Sequence, residues 1–234
     1  MLKALKEQVL EANLALPKSG LVTLTWGNVS GIDENRELMV IKPSGVAYDQ
    51  LKRDDLVVLR VQDGEIVEGT LRPSSDTPAH RVLYQAFTNI GGIVHTHSPW
   101  ATAWAQAGLP LPMLGTTHAD FARGPIPCTR DLDEAEVTID FEAHTGLSIV
   151  QVLAGDQYQD IPAVLVKGHG PFCWGKDAMG AVTQAIILEE VAKIAHRTLA
   201  LNPGAVLNPA IADRHFSRKH GPKAYYGQAP ETSD

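Results

Sequence analysis

The chain has 234 residues, of which 44% are hydrophobic and 20% are charged, enough apolar material for a substantial core without disulfides. Its formal net charge of −7 argues against the basic surface that nucleic acid or an anionic membrane requires, so neither is expected as a partner. The charged N-terminal segment, the lack of a long apolar run and two well-separated cysteines, Cys128 and Cys173, favour a cytoplasmic protein with free thiols.

The first half of the chain alternates helical and strand patterns. Apolar residues at helical spacing predict a helix over residues 2–16, which stops before Pro17. Short apolar runs bounded by turn residues predict strands at Leu38–Lys42 and Leu56–Val61. Asp76-Thr77-Pro78 is typical of a cap followed by proline in the first turn, and it predicts a helix over 78–89.

The second half continues this alternation. Gly92–His97 is predicted as a strand, and Ser98-Pro99 as the start of a helix that ends at Gly108. Ala163–Lys167 is typical of a buried strand, and residues 176–200 form the longest helical pattern. Prolines and glycines after residue 200 predict an irregular tail, which divides the chain into a domain of 1–200 and a tail of 201–234. The class is α/β, with the strand order left open.

Three histidines lie where a metal would need them. His95 and His97 are two residues apart on a predicted strand, so both imidazoles point to one face. His169 directly follows another predicted strand and has a glycine on each side. A pair of this spacing is equally compatible with ordinary strand-end histidines. Three neutral imidazoles with an open position are typical of catalytic Zn²⁺, and Mn²⁺ or Co²⁺ fits the same ligands.

Three short segments rich in small residues and backbone donors are candidates for binding an anion. They are Thr25-Trp26-Gly27-Asn28, Lys42-Pro43-Ser44-Gly45 and Arg72-Pro73-Ser74-Ser75-Asp76. The last precedes a predicted helix N-terminus, where free N–H groups favour a phosphate, and Lys42 adds a positive charge. Each segment by itself is also typical of a plain turn.

Taken in order, these motifs resemble those of the L-ribulose-5-phosphate 4-epimerases, a family within the class II aldolase/epimerase superfamily. The matching segments are Gly27-Asn28, Lys42–Gly45, Pro73–Thr77, His95–His97, Gly115–Asp120, Gly168–Gly170 and Lys219–Gly227. The resemblance extends over the whole chain. It implies a single three-layer α/β/α domain with a central, largely antiparallel sheet, and assembly into a homotetramer.

The resemblance also implies a function for individual residues. One divalent metal per subunit, Zn²⁺ in the first place, would be bound by His95, His97 and His169, with Asp76 as a further ligand or close neighbour. The substrate phosphate would lie against a set of backbone and side-chain donors: Gly27, Asn28, Lys42, Ser44, Gly45, Ser74 and Ser75. Asp120 and Tyr226 match an acid/base pair. The supporting positions are Thr116, Glu142, His215 and Arg218, of which the last two would approach the site from a neighbouring subunit.

The implied reaction inverts C4 of a small sugar phosphate, L-ribulose 5-phosphate, to give D-xylulose 5-phosphate. The C4 proton is not acidic, because C4 is not next to the carbonyl. Cleavage of the C3–C4 bond and re-addition on the other face avoids this difficulty. A proton must then leave the C4 hydroxyl on one side and return on the other, which is the role expected of Asp120 and Tyr226.

Three alternatives stay open. An aldolase of the same superfamily, acting on fuculose or rhamnulose phosphate, would be expected to carry glutamate at position 76 in place of Asp76. A non-enzymatic module resembling that of adducin would be expected to lack the metal histidines. A metal-dependent hydrolase would need a second carboxylate–histidine cluster.

Departures from the family pattern at 121–123 and 143–144 are expected to affect the shape of the pocket.

Overall fold

The strands form one continuous sheet in the computed structural model, which describes residues 2–221 and 224. The strands are β1 (Asn28–Ile32), β2 (Leu38–Ile41), β3 (Val57–Arg60), β4 (Ile66–Glu68), β5 (Gly92–His95), β6 (Ala163–Val166) and β7 (Gly170–Gly175). Their order across the sheet is β4-β3-β2-β1-β5-β7-β6. Each neighbouring pair is antiparallel. This order places β5 and β7 side by side although they are far apart in the chain.

The helices lie around this sheet. They are α1 (Lys3–Lys18), α2 (Thr77–Ala86), α3 (Pro99–Ala107), α4 (Thr116–Ala119), α5 (Glu134–Val152), α6 (Gln157–Asp160), α7 (Ala178–Leu201) and α8 (Pro209–His220). A 3₁₀ turn spans Arg53–Asp55. Within the described residues, we find no helix that combines the length and the apolar character needed to cross a bilayer.

Helix α7 organises the packing on the sheet. It lies along β5 and β7, and α1 and α3 pack beside it. Helix α1 also contacts β1, where Gly31 permits the approach, because a Cβ at this position would lie 2.9 Å from the side chains of Leu5 and Val9. Helices α2 and α5 pack on each other as a second group. The result is the three-layer α/β/α domain that the resemblance implied.

The predicted elements are confirmed within a few residues, and the differences have local causes. Helix α2 ends at Ala86 because Phe87 has an extended backbone. Strand β5 ends at His95, so His97 lies beyond the strand on which it was predicted. Strands β1, β4 and β7 and helices α4, α5 and α6 were not predicted. For α5 the signal was present, because Asp133 and Glu136 form a reciprocal capping box at its start. Cys128 and Cys173 are free, as expected.

The prediction of an irregular segment from residue 201 onward is wrong for Pro209–His220, which form α8. The side chain of Asn208 caps this helix by accepting a hydrogen bond from the Ala210 N–H, and Pro209 occupies its first turn. These are the helix-start signals that the sequence contained at this point. The proline density between residues 202 and 209 therefore marks a connection between two helices and not a structureless tail.

Candidate active site

The three candidate metal-binding histidines meet where β5 ends and β7 begins, two neighbouring strands inside the sheet. His95 is the last residue of β5, and His169 lies in the turn that joins β6 to β7. Because β5 pairs with β7, the end of one strand lies beside the start of the other, and His95 is opposite Phe172. The candidate ligand atoms of His95, His97 and His169 all lie within 4.8 Å of one another. The topology thus forms the cluster that the sequence predicted.

The hydrogen bonds around His95 orient it for metal binding. Its Nδ1 lies 3.0 Å from the carbonyl oxygen of Pro171. A carbonyl can only accept, so Nδ1 carries the proton, and Nε2 presents its lone pair to the cluster. The ring of Phe172 stacks on that of His95 at 4.3 Å between centroids and holds its plane. Nε2 of His97 is 3.1 Å from Nε2 of His95.

The hydrogen bonding and protonation of His169 and His97 are also compatible with a bound divalent cation. Nδ1 of His169 is buried and has no hydrogen-bond partner among the described residues. Burial, together with the neighbouring His95 and His97, lowers the pKa of His169 to about 4. Burial and the neighbouring His95 also lower the pKa of His97. These imidazoles are therefore neutral near pH 7, which is the form that binds a metal.

Asp76 lines the same cavity but lies outside the group formed by the three histidines. It occupies the N-cap position of α2 without capping it by its side chain, contrary to the sequence prediction. Its carboxylate accepts a hydrogen bond from Asn28 Nδ2 at 2.6 Å. Burial acts to raise the pKa of Asp76, but His95 and the other nearby histidines outweigh it, and the net pKa is lowered. An ionised carboxylate next to the cluster favours a bound cation.

The three small-residue segments converge on the histidines. The segment at Lys42 runs beside the segment at Ser74 through a bridge between Pro43 and Pro73. Backbone hydrogen bonds from Ser44 N to Arg72 O and from Ser74 N to Lys42 O fix their register. A cavity of about 450 Å³ is lined by Thr25, Trp26, Gly27, Asn28, Lys42, Pro43, Ser44, Gly45, Ser74, Ser75, Asp76, His95, His97 and His169. All seven predicted phosphate-binding residues are therefore in one place.

Lys42 provides a buried positive charge in this cavity. Its residue surface is 1% exposed, and its ammonium donates one long hydrogen bond, 3.3 Å, to the Pro43 carbonyl. The ammonium also lies 4.8 Å from the centre of the Tyr48 ring. Burial lowers the pKa of Lys42 to about 8, so the group is still mostly protonated at neutral pH. A bound anion would compensate the desolvation of this charge.

Three residues that the sequence did not single out, Tyr48, Ser30 and His80, make contacts next to the segment Trp26-Gly27-Asn28 that lines the cavity. The hydroxyl of Tyr48 lies 2.9 Å from the carbonyl oxygen of Trp26 and 2.8 Å from that of Gly27. On the other side of Asn28, the hydroxyl of Ser30 lies 2.7 Å from Nδ1 of His80, which is fully buried in α2. Neither contact leaves a sequence signal, because each joins residues from separate elements.

Glycines allow close backbone approach around the histidines. Gly27 has a φ of +78°, and a Cβ at this residue would lie 2.9 Å from the carbonyl oxygen of His95. A Cβ at Gly170 would lie 2.7 Å from the carbonyl oxygen of Thr96. A larger residue at either position would displace the backbone that carries the cluster.

Asp120 is held apart from the cavity and bound to α8 of its own chain. Its carboxylate accepts two hydrogen bonds from Arg218, at 3.0 and 2.6 Å, and lies 3.0 Å from Nδ1 of His215. Burial acts to raise the pKa of Asp120, but Arg218, His215 and the nearby Lys219 lower it below its usual range. Asp120 does not line the cavity of the histidines.

The other predicted residues are likewise not among those that line the cavity. Thr116 begins the short helix α4, and Glu142 lies on α5 just after its kink at Asp140. The neighbouring Phe141 comes closer, with its ring 6.0 Å from that of His169. Tyr226 lies outside the described residues.

Comparison with known proteins extends these observations. Residues 7–196 match the family model described as "Class II Aldolase and Adducin N-terminal domain". A protein of Salmonella paratyphi A named "L-ribulose-5-phosphate 4-epimerase UlaF" is 55% identical over 230 residues, covering 97% of this chain and 100% of the relative. A protein of Salmonella typhi with the same name matches equally well.

Solved structures share the fold at lower identity. An "L-fuculose 1-phosphate aldolase" superposes with a TM-score of 0.77 at 24% identity and covers 92% of this chain and 95% of its own. YgbL from Escherichia coli, described as "a putative aldolase/epimerase/decarboxylase", gives a TM-score of 0.73 at 24% identity, with 92% of this chain and 99% of its own covered. At this identity the likeness indicates the architecture and not the substrate.

Proposed function

The chain belongs to the family of class II aldolases and adducin N-terminal domains, and within it we propose that the chain is a metal-dependent L-ribulose-5-phosphate 4-epimerase. It interconverts L-ribulose 5-phosphate and D-xylulose 5-phosphate by cleaving and re-forming the C3–C4 bond. The observation that carries this proposal is the 55% identity to curated epimerases over nearly the whole chain. The cavity that joins three histidines to a buried lysine has the chemistry that such a substrate requires.

The proposed metal ligands are His95, His97 and His169, with Asp76 beside them. Three neutral imidazoles favour Zn²⁺, and Mn²⁺ or Co²⁺ fits the same donors. A divalent ion bound there supplies Lewis-acid stabilisation of the negative charge that bond cleavage leaves on the three-carbon fragment. The protein contributes the orientation, since Pro171 and Phe172 fix the ring of His95.

The small-residue segments that line the same cavity are proposed to retain the phosphate. Lys42, the backbone of the Ser44-Gly45 turn and the hydroxyl of Ser75 are available as donors there. Cleavage of C3–C4 moves the C4 hydroxyl proton to a base, and the electron pair of the bond stays on C3. If the two-carbon aldehyde stays bound through its phosphate, it can turn, and C3 then attacks its other face. The C4 oxygen recovers a proton, and the configuration is inverted.

The proton carriers are proposed to be Asp120 and Tyr226 of a neighbouring subunit. Asp120 does not line the cavity of its own chain, and α8 holds it in place through Arg218 and His215. A second copy of the chain would have to bring this group to the substrate. We therefore propose that the enzyme works as a homotetramer in the cytoplasm, with α8 and the residues after it placed near an adjacent site.

The alternative function is aldol cleavage of a related ketose phosphate. The aspartate at position 76 and the identity to curated epimerases favour epimerisation. Incubation of the purified protein with L-ribulose 5-phosphate, followed by NMR, tests this choice. We expect D-xylulose 5-phosphate to accumulate to equilibrium. If separate two-carbon and three-carbon products accumulate, the enzyme is an aldolase. If neither reaction occurs with metal present, the proposed activity is wrong.

Phosphate binding can be tested by a double substitution, Ser44→Ala with Ser75→Ala. Each hydrogen bond to a charged group is worth roughly 1.5–3 kcal/mol, so KM for L-ribulose 5-phosphate should rise at least about tenfold. Both residues are exposed in the cavity, so stability should change little. Ser19→Ala, at an exposed serine at the end of α1, is the matched control. An unchanged KM and kcat in the double variant would place the phosphate elsewhere.

A further inference from the structure

A carboxylate from α7 holds the N-terminus of α3, the helix that begins just after the metal-site histidines. Oε1 of Glu189 accepts a hydrogen bond from the Trp100 N–H at 2.8 Å. Its Oε2 accepts one from the Ala101 N–H at 2.9 Å. Glu189 is 88 residues or more away from both partners in the chain. One side chain therefore satisfies two backbone donors at the start of a helix on a different element.

The local sequence does not cap this helix. The first N–H groups of any helix have no partner within the helix. Ser98 occupies the N-cap position, but its side chain makes no capping hydrogen bond. Pro99 follows and has no N–H to be capped. Glu189 takes the next two donors, and its negative charge lies at the positive end of the helix dipole. The sequence predicted Ser98 as the cap, and the structure assigns this function to Glu189.

The position of His97 depends on this helix start. Strand β5 ends at His95, and the next backbone hydrogen bond to β7, from Thr96 N to Pro171 O, is long at 3.4 Å. His97 lies between that strand end and Ser98, so its backbone is fixed on one side by the sheet and on the other by α3. Helix α7 packs on β5 and β7, and β5 carries His95. The hydrogen bonds of Glu189 therefore connect the start of α3 to the part of the domain that contains His95.

We propose that Glu189 is a positioning residue for the metal site, acting through the N-terminus of α3 on His97. The inference rests on the proposed metal function of His97. Glu189 does not line the cavity and is not expected to touch the substrate or the ion. If an amide replaces this carboxylate, one of the two acceptors becomes a donor that faces a backbone N–H, the negative charge at the helix start is lost, and His97 samples positions outside the ligand geometry. Removing a direct hydrogen-bond partner of a metal ligand lowers metal affinity by roughly tenfold to a hundredfold, and Glu189, which acts through the backbone after His97, is expected at the lower end of this range.

The test compares Glu189→Gln with Glu190→Gln. Glu190 is the next residue of the same helix, and its exposed carboxylate lies 3.3 Å from Lys193, so it provides a matched loss of charge. Co²⁺ affinity is measured by competition with a chelator, and the visible absorption spectrum of bound Co²⁺ reports the ligand geometry. We expect Glu189→Gln to bind Co²⁺ about tenfold or more weakly, with an altered spectrum. Glu190→Gln should match the wild type in both measurements.

The variant should fold, because Trp104 Nε1 also ties α3 to α7 through the Ala192 carbonyl at 3.1 Å. If Glu189→Gln does not fold, Glu189→Asp is measured under the same criteria, since it keeps the charge but is shorter by one methylene. A lower Tm with wild-type Co²⁺ affinity and spectrum would make Glu189 a purely structural residue and overturn the proposal. If the wild type itself binds no Co²⁺, the metal function of the histidines fails first, and this inference fails with it.

Discussion

Replacing His97 with alanine is expected to abolish divalent-metal binding and epimerase turnover together. The candidate ligand atoms of three histidines lie within 4.8 Å of one another, and the loss of one leaves two imidazoles and an open cavity. A site with two protein ligands binds metal far more weakly than a site with three. Metal content after dialysis, measured by inductively coupled plasma mass spectrometry, and epimerase turnover are the two measurements.

The control for this substitution is His196→Phe, which removes an exposed imidazole of α7 that does not line the cavity and keeps an aromatic ring against Trp100, 5.3 Å away between ring centroids. It should retain the metal content and activity of the wild type. Chelation of the wild-type protein should have the same effect as His97→Ala, and added Zn²⁺, Mn²⁺ or Co²⁺ should restore turnover in the wild type alone. Full activity in rigorously metal-free protein would contradict the metal function of this cluster.

Asp120→Asn is expected to lower kcat by a factor of roughly 10² to 10⁴ with the metal content unchanged, as expected for the loss of a positioned acid/base group. The carboxylate does not line the cavity that contains the histidines, so metal binding should not depend on it. Asp160→Asn is a suitable control, since the half-exposed carboxylate of Asp160 makes a long ion pair with Arg123 at 3.7 Å. Near-normal turnover in Asp120→Asn would exclude this residue as a proton carrier.

Hybrid oligomers test whether Asp120 acts on a neighbouring subunit. When His97→Ala and Asp120→Asn chains are co-expressed, some interfaces will combine an intact metal site with an intact carboxylate from the other chain. Activity should then rise well above that of either variant alone, because the intact sites have the full wild-type set of groups. If Asp120 serves its own chain, every site in the mixture has one defect, and activity does not exceed the residual level of Asp120→Asn. The same mixture with Tyr226→Phe tests the tyrosine of the tail.

The local chemistry of the site was readable from the chain because it depends on residue type and short spacing. Some features of the sequence predict backbone donors or charge wherever the fold places them. They are the glycines next to His169, the serine pair before α2 and the lysine beside Pro43. All seven predicted phosphate-binding residues and the three histidines line one cavity. Their convergence could not be derived from spacing, since it depends on β5 pairing with β7 and on the bridge between Pro43 and Pro73.

Helix caps illustrate the limit of local sequence patterns. Asp76 and Ser98 both occupy the N-cap positions that the sequence predicted, yet neither side chain caps its helix. The carboxylate of Asp76 accepts a hydrogen bond from Asn28, and the donors after Ser98 are taken by Glu189. A pattern of neighbouring residues indicates where a helix starts. Which group satisfies its N–H donors depends on competing partners that the fold brings close.

Residue identity alone determined that this chain has imidazoles, small-residue turns and a lysine, a set suited to a metal and an anion. The fold determined which of these residues lie close together, because contacts such as the hydrogen bond between His95 and Pro171 join residues that are 76 positions apart in the chain. It also separated Asp120 from the cavity and attached it to α8, in a segment whose prolines had predicted no helix. Short-range preferences are encoded in neighbouring residues, whereas side-chain partners across the molecule are selected only when the core packs.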